Sequence, residues 1–260
     1  MYISTSYSLQ RGKAKKAFSP NYITHDMAQA HIKDEALPAI LCLHSHGTNK
    51  TIFQFQIHHI IQALRLTFRF VFVEAPFEVD HAGPGVPPAF ADARPFRRWN
   101  CGEIAAQLWG VSAEELEDEQ RQVRALLAET LERERARGPG IVGIIAFSVS
   151  ARVATGLCLD KELSVDIKFV IIICGGFPAL LLTPENTSPP LDMVSIHIQG
   201  TRDPWKAQSA KLLDTYFNSA RAKIIKFSSG HEVPAGIKEG AKIAEEVIAA
   251  WESFSILDTL

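Results

Sequence analysis

From Pro38 onward the chain predicts an α/β fold: a doubly wound, mostly parallel sheet of about six strands, helices on both faces and a lid-like insertion. Two observations carry this expectation. Short β-branched runs alternate with amphipathic stretches, which is the pattern of repeated βα units. Most of those runs are apolar nearly throughout rather than at every second residue, as strands covered on both faces are.

The elements follow in chain order. Residues 1–36 read as a loosely ordered N-terminal extension. Arg11, Lys13, Lys15 and Lys16 occur there, but no apolar core precedes a small-residue cleavage site, so no secretory signal is expected. Residues 37–260 then read as a single domain. Its strand candidates are Ala39–His44, Arg69–Ala75, Gly140–Phe147, Lys168–Cys174, Met193–Gln199 and Ala222–Phe227. The helix candidates are Thr51–Leu66, Ala113–Arg137, Ala151–Leu159, Trp205–Ala220 and Lys238–Phe254. In the second of these, Leu116, Val123, Leu127 and Leu131 recur at helical spacing amid charges of both signs, giving one apolar stripe on a solvated helix.

Between the second strand and that helix lies 76–111, rich in proline and glycine and carrying Phe77, Phe90, Phe96, Trp99 and Trp109. A loop this long inside a compact domain is usually functional. It also follows the C-terminal end of a strand, where open α/β sheets bind ligands. The expectation is a lid or wall of a substrate pocket, with Phe77, Phe96, Trp99 and the later Trp205 as substrate contacts.

Composition narrows the function. A 47% hydrophobic, 22% charged chain of 260 residues is that of a soluble globular protein. A net charge of −2 leaves no basic footprint for nucleic acid and no polybasic patch for a membrane. The longest apolar stretch, Phe169 to Leu182, is interrupted by Gly175, Gly176 and Pro178 and is too short to span a bilayer. Cys42, Cys101, Cys158 and Cys174 have no zinc-ligand spacing and read as buried free thiols in a reducing compartment, so a cytoplasmic protein is expected.

The chemistry centres on Ile141-Val-Gly-Ile-Ile-Ala-Phe-Ser-Val-Ser150. An apolar run ends at Ser148 and a helical pattern follows, the layout of a strand–turn–helix elbow that holds a nucleophilic serine above a sheet. A serine hydroxyl needs an imidazole to take its proton and a carboxylate to orient that imidazole. Asp203 follows the fifth predicted strand and His231 the sixth, both on loops marked by Gly200, Pro204, Gly230 and Pro234. Taken singly, Ser148 reads as a helix N-cap, Asp203 as a turn former and His231 as a surface residue. Their order and strand phase agree three times, which makes the joint pattern far stronger. Oxyanion donors are expected from His46 N–H, in the loop after the first strand, and Val149 N–H. His44 and His46 have no third ligand of obvious spacing and zinc needs three, so no metal and no cofactor are expected. His58 and His59, within a helix pattern, read as structural.

These residues resemble the fungal serine hydrolases of the FSH type, relatives of acyl-protein thioesterases and carboxylesterases. The resemblance runs from about Ile40 to Trp251. It rests on Leu41-Cys-Leu-His-Ser-His-Gly-Thr-Asn49, Phe70-Val-Phe-Val-Glu-Ala-Pro-Phe77, Arg98-Trp99, Ala146-Phe-Ser-Val-Ser-Ala151, Ile173-Cys-Gly-Gly-Phe-Pro178, His197-Ile-Gln-Gly-Thr-Arg-Asp203 and Gly230-His-Glu-Val-Pro234. It implies an α/β-hydrolase with Ser148, Asp203 and His231 as catalytic triad. It also implies a thioesterase or esterase of secondary metabolism, releasing a polyketide chain from the acyl carrier domain of a synthase. The alternatives are a general carboxylesterase or deacylase, an acyl-enzyme cyclase or transferase, and a non-catalytic hydrolase-fold binding protein. Arg94, Arg97 and Arg98 are candidates to guide an anionic carrier or its phosphopantetheine arm, against the plainer reading of solvated arginines. Two departures from the family pattern stand out: Ser45 replaces the first glycine of the usual His-Gly pair, and Ala146 and Ser150 replace both elbow glycines.

Overall fold

A computed structural model of the protein describes residues 36–100, 110–183 and 189–257. The expected extension, 1–36, lies outside these residues except for its last position, as do Cys101 and Trp109. Six strands form one wholly parallel sheet: β1 (Ala39–Leu43), β2 (Arg69–Val73), β5 (Ile141–Phe147), β6 (Phe169–Ile173), β7 (Val194–Gly200) and β8 (Ala222–Phe227), in the order β2-β1-β5-β6-β7-β8. Chain direction across the sheet reverses between β1 and β5, so a crevice opens at the C-terminal ends of those two strands.

Alternate residues of each strand feed opposite cores. Ala39, Leu41 and Leu43 point to one apolar cluster, and Ile40 and Cys42 to the other. The first cluster is closed by α3 (Ala113–Arg137), α4 (Ser150–Leu159) and α5 (Lys206–Tyr216), through Val123, Leu127, Ala154, Leu157 and Leu212. The second is closed by α1 (Lys50–Gln56), α2 (His58–Leu64) and α6 (Ile237–Leu257), through Phe53, Ile60, Leu64, Ile243 and Val247. Both faces are therefore covered, as the unbroken apolar strands require. Among the described residues, no helix is long and apolar enough to cross a membrane.

Two elements differ from expectation. The helix expected over 51–66 is broken at Ile57, which leaves helical geometry (φ −93°, ψ 14°) and shares its N–H between the carbonyls of Phe53 and Phe55. Ile52, Phe53, Ile57, Ile60 and Leu64 are all buried, so the apolar periodicity is satisfied across the break. Stretch 76–111 is not an irregular excursion: β3 (Phe77–Val79) and β4 (Phe96–Arg98) form an antiparallel pair within it, and Pro88–Phe90 make a 3-10 turn. This insertion is stitched to the loop after β1. Gly47 N–H donates to Arg97 O, Arg97 N–H to Thr48 O and Gly83 N–H to Gly47 O, each at 2.8 Å. Asn49 caps α1 with its side-chain oxygen while its amide donates to Ala93 O and Pro95 O. At the crossing, Gly47 has φ +66° and a Cβ there would lie 2.2 Å from Gly83 N, so no side chain fits.

Candidate active site

Ser148 is set by backbone geometry before any side chain matters. It has φ +60°, a left-handed conformation that costs a non-glycine residue about 1–3 kcal/mol when the surroundings impose it. The surroundings do impose it: Ser148 N–H donates to Ile173 O at 2.9 Å, and Ser148 O accepts from Ala151 N–H and Gly176 N–H at 3.1 and 2.9 Å. The turn thus hangs from the ends of β5 and β6 and projects Oγ at the sheet's C-terminal edge.

The replacement of the elbow glycines has a specific consequence. Ser150, fully buried, places its hydroxyl between β5 and β1: Oγ accepts from Phe147 N–H at 3.0 Å and lies 2.7 Å from Leu43 O and 2.9 Å from Phe147 O. The side chain relays one further rung of the β1–β5 ladder just where the strands part, and ties the elbow to the strand that carries the His46 loop. Ser45 is buried too. His44 Nδ1 lies 2.7 Å from its carbonyl, and Trp99 Nε1–H donates to His44 O at 2.7 Å. His44 Nε2 faces both Ala75 N–H (3.0 Å) and Glu74 Oε1 (3.1 Å). Only one of these contacts suits a given tautomer, and the immovable backbone N–H decides for a lone pair on Nε2 and a proton on Nδ1.

The chain brings its three widely separated candidates together. His231 Nε2 is 2.7 Å from Ser148 Oγ, and His231 Nδ1 is 3.0 Å from Asp203 Oδ2. Both distances lie within proton-transfer reach. The other carboxylate oxygen, Asp203 Oδ1, accepts from Trp205 N–H at 2.8 Å, so the acid is held from two sides. Ser148 and Asp203 are buried, and the His231 side chain is 8% exposed. Asp192, just before β7, is exposed and pairs with Asn218 and Arg221.

Cys174 stands beside this line, its Sγ within 4.8 Å of ligand atoms of Asp203 and His231. Burial, followed by the nearby Asp203 charge, pushes its thiol up to about 12. It is therefore protonated at neutral pH, a poor nucleophile beside Ser148. Cys42, Cys158 and Cys174 are buried and free. Of the expected oxyanion donors, neither His46 N–H nor Val149 N–H has an acceptor among the described residues, whereas Gly47 N–H is already given to Arg97 O. The His46 imidazole is shifted down, first by burial and then by the Arg98 charge, and so is neutral at pH 7.

The expected substrate contacts divide. Trp205 packs its indole edge-to-face on the His231 ring, 4.5 Å between centroids, and is 40% exposed. Trp99 and Phe96 are corrections: at 0% and 1% exposure they present no surface to a ligand, and Trp99 instead braces the His44 backbone. Phe77 is half-buried under the Arg98 guanidinium, 4.8 Å away, beside a hollow lined by α3 and away from Ser148. The arginines are engaged as well. Arg98 makes a two-pronged contact with Glu119, Arg97 pairs with Glu78, and Arg94 donates to Asp80 O. Pattern reading had no access to these contacts, nor to Gln56, whose side chain reaches Gly85 O in the insertion.

Against known proteins, residues 35–243 match the serine hydrolase (FSH1) family. The chain belongs to that family. It is 45% identical over 241 residues to the thioesterase FSL2 of Gibberella zeae, across 86% of this chain and 96% of that protein. It is 30% identical over 213 residues to the esterase FUS5 of Gibberella moniliformis, across 81% and 85%. Among solved structures, a carboxylesterase from Mesorhizobium loti superposes with a TM-score of 0.52 at 15% identity, over 81% of this chain and 88% of that one. The Bacillus cereus carboxylesterase gives 0.50 at 20% identity, over 84% and 91%. These two likenesses establish the α/β-hydrolase fold; the enzyme class, serine hydrolase, comes from the family.

Proposed function

We propose that this serine hydrolase cleaves an acyl thioester or ester through Ser148, His231 and Asp203, acting on a carrier-bound acyl chain of the polyketide type in the cytoplasm. The observation that carries the reading is the unbroken line Ser148 Oγ–His231 Nε2, His231 Nδ1–Asp203 Oδ2, starting from a serine held at φ +60°. His231 takes the Ser148 proton as Oγ attacks the acyl carbon, and Asp203 keeps the imidazole in the tautomer that leaves Nε2 free to do so. Negative charge develops on the acyl oxygen, which His46 N–H and Val149 N–H receive; one such donor is worth about 3–4 kcal/mol in a protease of this chemistry. The proton then passes from His231 to the departing sulfur or oxygen. Water, deprotonated by the same imidazole, releases the acid.

The thioester preference is supported by the thioesterase name of the Gibberella zeae relative, and the ester alternative by the esterase name of the Gibberella moniliformis one. The insertion at 76–111 serves in this reading as one wall of the substrate cleft. Labelling by a fluorophosphonate probe tests the nucleophile: the wild-type protein should be labelled and the Ser148→Ala variant should not. Undiminished labelling of the variant would place the reactive hydroxyl elsewhere and sink the assignment. Parallel turnover of one acyl chain as thioester and as oxygen ester ranks the two substrate classes.

A further inference from the structure

Three neighbouring strand ends converge behind Ser148. Cys174 follows β6, Asp203 follows β7 and His231 follows β8, and one ligand atom from each lies within 4.8 Å of the other two. Among the described residues this is the one set of three histidine, cysteine or carboxylate side chains so placed. The hydrolytic geometry uses the carboxylate and the imidazole and leaves the thiol without a part.

The surrounding structure holds each member in place. Cys174 N–H donates to Ile198 O at 2.8 Å, and the residue sits at φ +46°, left-handed like Ser148. Its Sγ is 3.8 Å from Glu232 O, on the loop that carries His231. Trp205 N–H fixes Asp203 from one side, while His231 directs Nδ1 at Asp203 and Nε2 at Ser148 Oγ. A histidine that binds a metal through one nitrogen characteristically hydrogen-bonds through the other. The donor set selects the ion: a soft thiolate with an imidazole suits Zn²⁺ or Cd²⁺, whereas Mg²⁺ and Ca²⁺ want oxygen. Charge agrees, because one thiolate and one carboxylate balance a divalent cation and leave the buried site neutral. Tetrahedral zinc sets such ligands roughly 3.3–3.8 Å apart, so the widest pair must close by about 1 Å. His231 is the rim through which an ion enters. Its loop has room to yield, since a Cβ on Gly230 would meet nothing within 4 Å.

We propose that Cys174, Asp203 and His231 form an inhibitory site for a thiophilic divalent cation of the Zn²⁺ or Cd²⁺ type. The cation bonds to Cys174 Sγ, to an Asp203 carboxylate oxygen and to His231 Nδ1, leaving a fourth position for water. The thiol gives its proton to solvent, as a coordinating thiol does. The imidazole proton moves from Nδ1 to Nε2, where it donates to Ser148 Oγ. His231 then has no lone pair to take the serine proton, and turnover stops with Ser148 itself unaltered. The inhibition rests on the Ser148–His231–Asp203 reading; occupancy of the site does not.

The test uses the full chain after chelator treatment, with p-nitrophenyl ester turnover measured with and without Zn²⁺, Cd²⁺, Mg²⁺ or Ca²⁺ at equal concentrations. Zn²⁺ and Cd²⁺ should inhibit, chelator should restore the rate, and Mg²⁺ and Ca²⁺ should do nothing. In Cys174→Ala, and in Cys174→Ser as a closer match in size, the Zn²⁺ or Cd²⁺ concentration that halves each variant's own metal-free rate should rise. The rise should be at least about tenfold to 100-fold, the range seen for groups that merely support a metal ligand. Cd²⁺ should also raise an ultraviolet thiolate charge-transfer band in the wild-type and Ser148→Ala proteins, and much less of it in the Cys174 variants. Unchanged metal sensitivity of the Cys174 variants would overturn the proposal, as would equal inhibition by Mg²⁺. So would loss of the inhibition on replacing both His58 and His59 by alanine, whose rings, 5.1 Å apart, are the competing site on α2. Retained turnover by Ser148→Ala would instead overturn the hydrolytic reading, with the Cd²⁺ band still reporting on the site.

Discussion

Among the described residues, two serine–histidine neighbourhoods are buried, and only one is joined by hydrogen bonds. Ser148 and His231 meet at 2.7 Å beyond the ends of β5 and β8, with Asp203 behind the imidazole. Ser195 and His197 stand two residues apart on one face of β7, both at most 1% exposed, and neither Ser195 Oγ nor His197 Nε2 has a partner among the described residues. Burial lowers His197 to about 4, and its ring packs edge-on against Phe217. The same residue types give a hydrogen-bonded line at the sheet's edge and an unpaired packing pair within it. Residues two apart on a strand lie side by side and point the same way, so they cannot aim at one another. Residues on separate loops can converge head to tail.

The largest way to break this contrast is Ser148→Ala, which should lower kcat by at least about 10⁴ and leave thermal unfolding unchanged, since a triad acts as a unit. Activity within tenfold of wild type would erase the distinction between the two pairs. Asp203→Asn should cost on the order of 10⁴ in kcat through the wrong imidazole tautomer, with the fold intact by circular dichroism. A small effect would mean that the Trp205 indole and packing alone orient His231.

The inert pair should be visible in stability rather than in rate. His197 is neutral in the folded protein down to about pH 4, whereas the unfolded chain protonates near 6.5. The unfolded state then binds the extra proton, so its stabilisation is complete above pH 6.5 and is lost as pH falls from 6.5 toward 4. The loss amounts to roughly 3 kcal/mol. Denaturant titrations of His197→Leu should show a correspondingly shallower decline across that window, and an unchanged slope would assign the acid sensitivity to other groups.

Ser150→Ala probes the tie between the elbow and β1. It strands Phe147 N–H and Leu43 O in the core and should cost about 1–3 kcal/mol of stability. Ser150→Gly should lose a similar amount of stability while keeping most of the activity. If the alanine variant is as stable as wild type, the hydroxyl is not a rung of the ladder. Ser195→Ala should do least, within about 0.5 kcal/mol of wild type, because the hydroxyl it removes has no partner.

Much of this architecture was legible in residue patterns. The six parallel strands, α3 at Ala113–Arg137 and the chain order Ser148, Asp203, His231 all follow from local apolar runs and turn residues. The aromatics of the insertion were less legible. Phe96 and Trp99 sit in a proline-rich loop like any ligand-contacting ring, yet the β3–β4 pair turns them into the core. Of the two elbow departures, Ser150 supplies a hydroxyl that bridges β5 and β1, visible only with Leu43 and Phe147 in place.

The sequence by itself determined which segments are strands, which residue types stand at their C-terminal ends, and hence that a serine, an acid and a histidine share one edge. That information is local, because strand periodicity and turn chemistry depend on neighbours a few residues away. Tertiary structure decided the rest: that β1 and β5 adjoin at the reversal point, that Arg97 and Arg98 are spent on carboxylates, and that Gln56 ties α1 to Gly85 of the insertion. Those outcomes depend on contacts between residues 19 to 107 positions apart, and packing rather than pattern selects them.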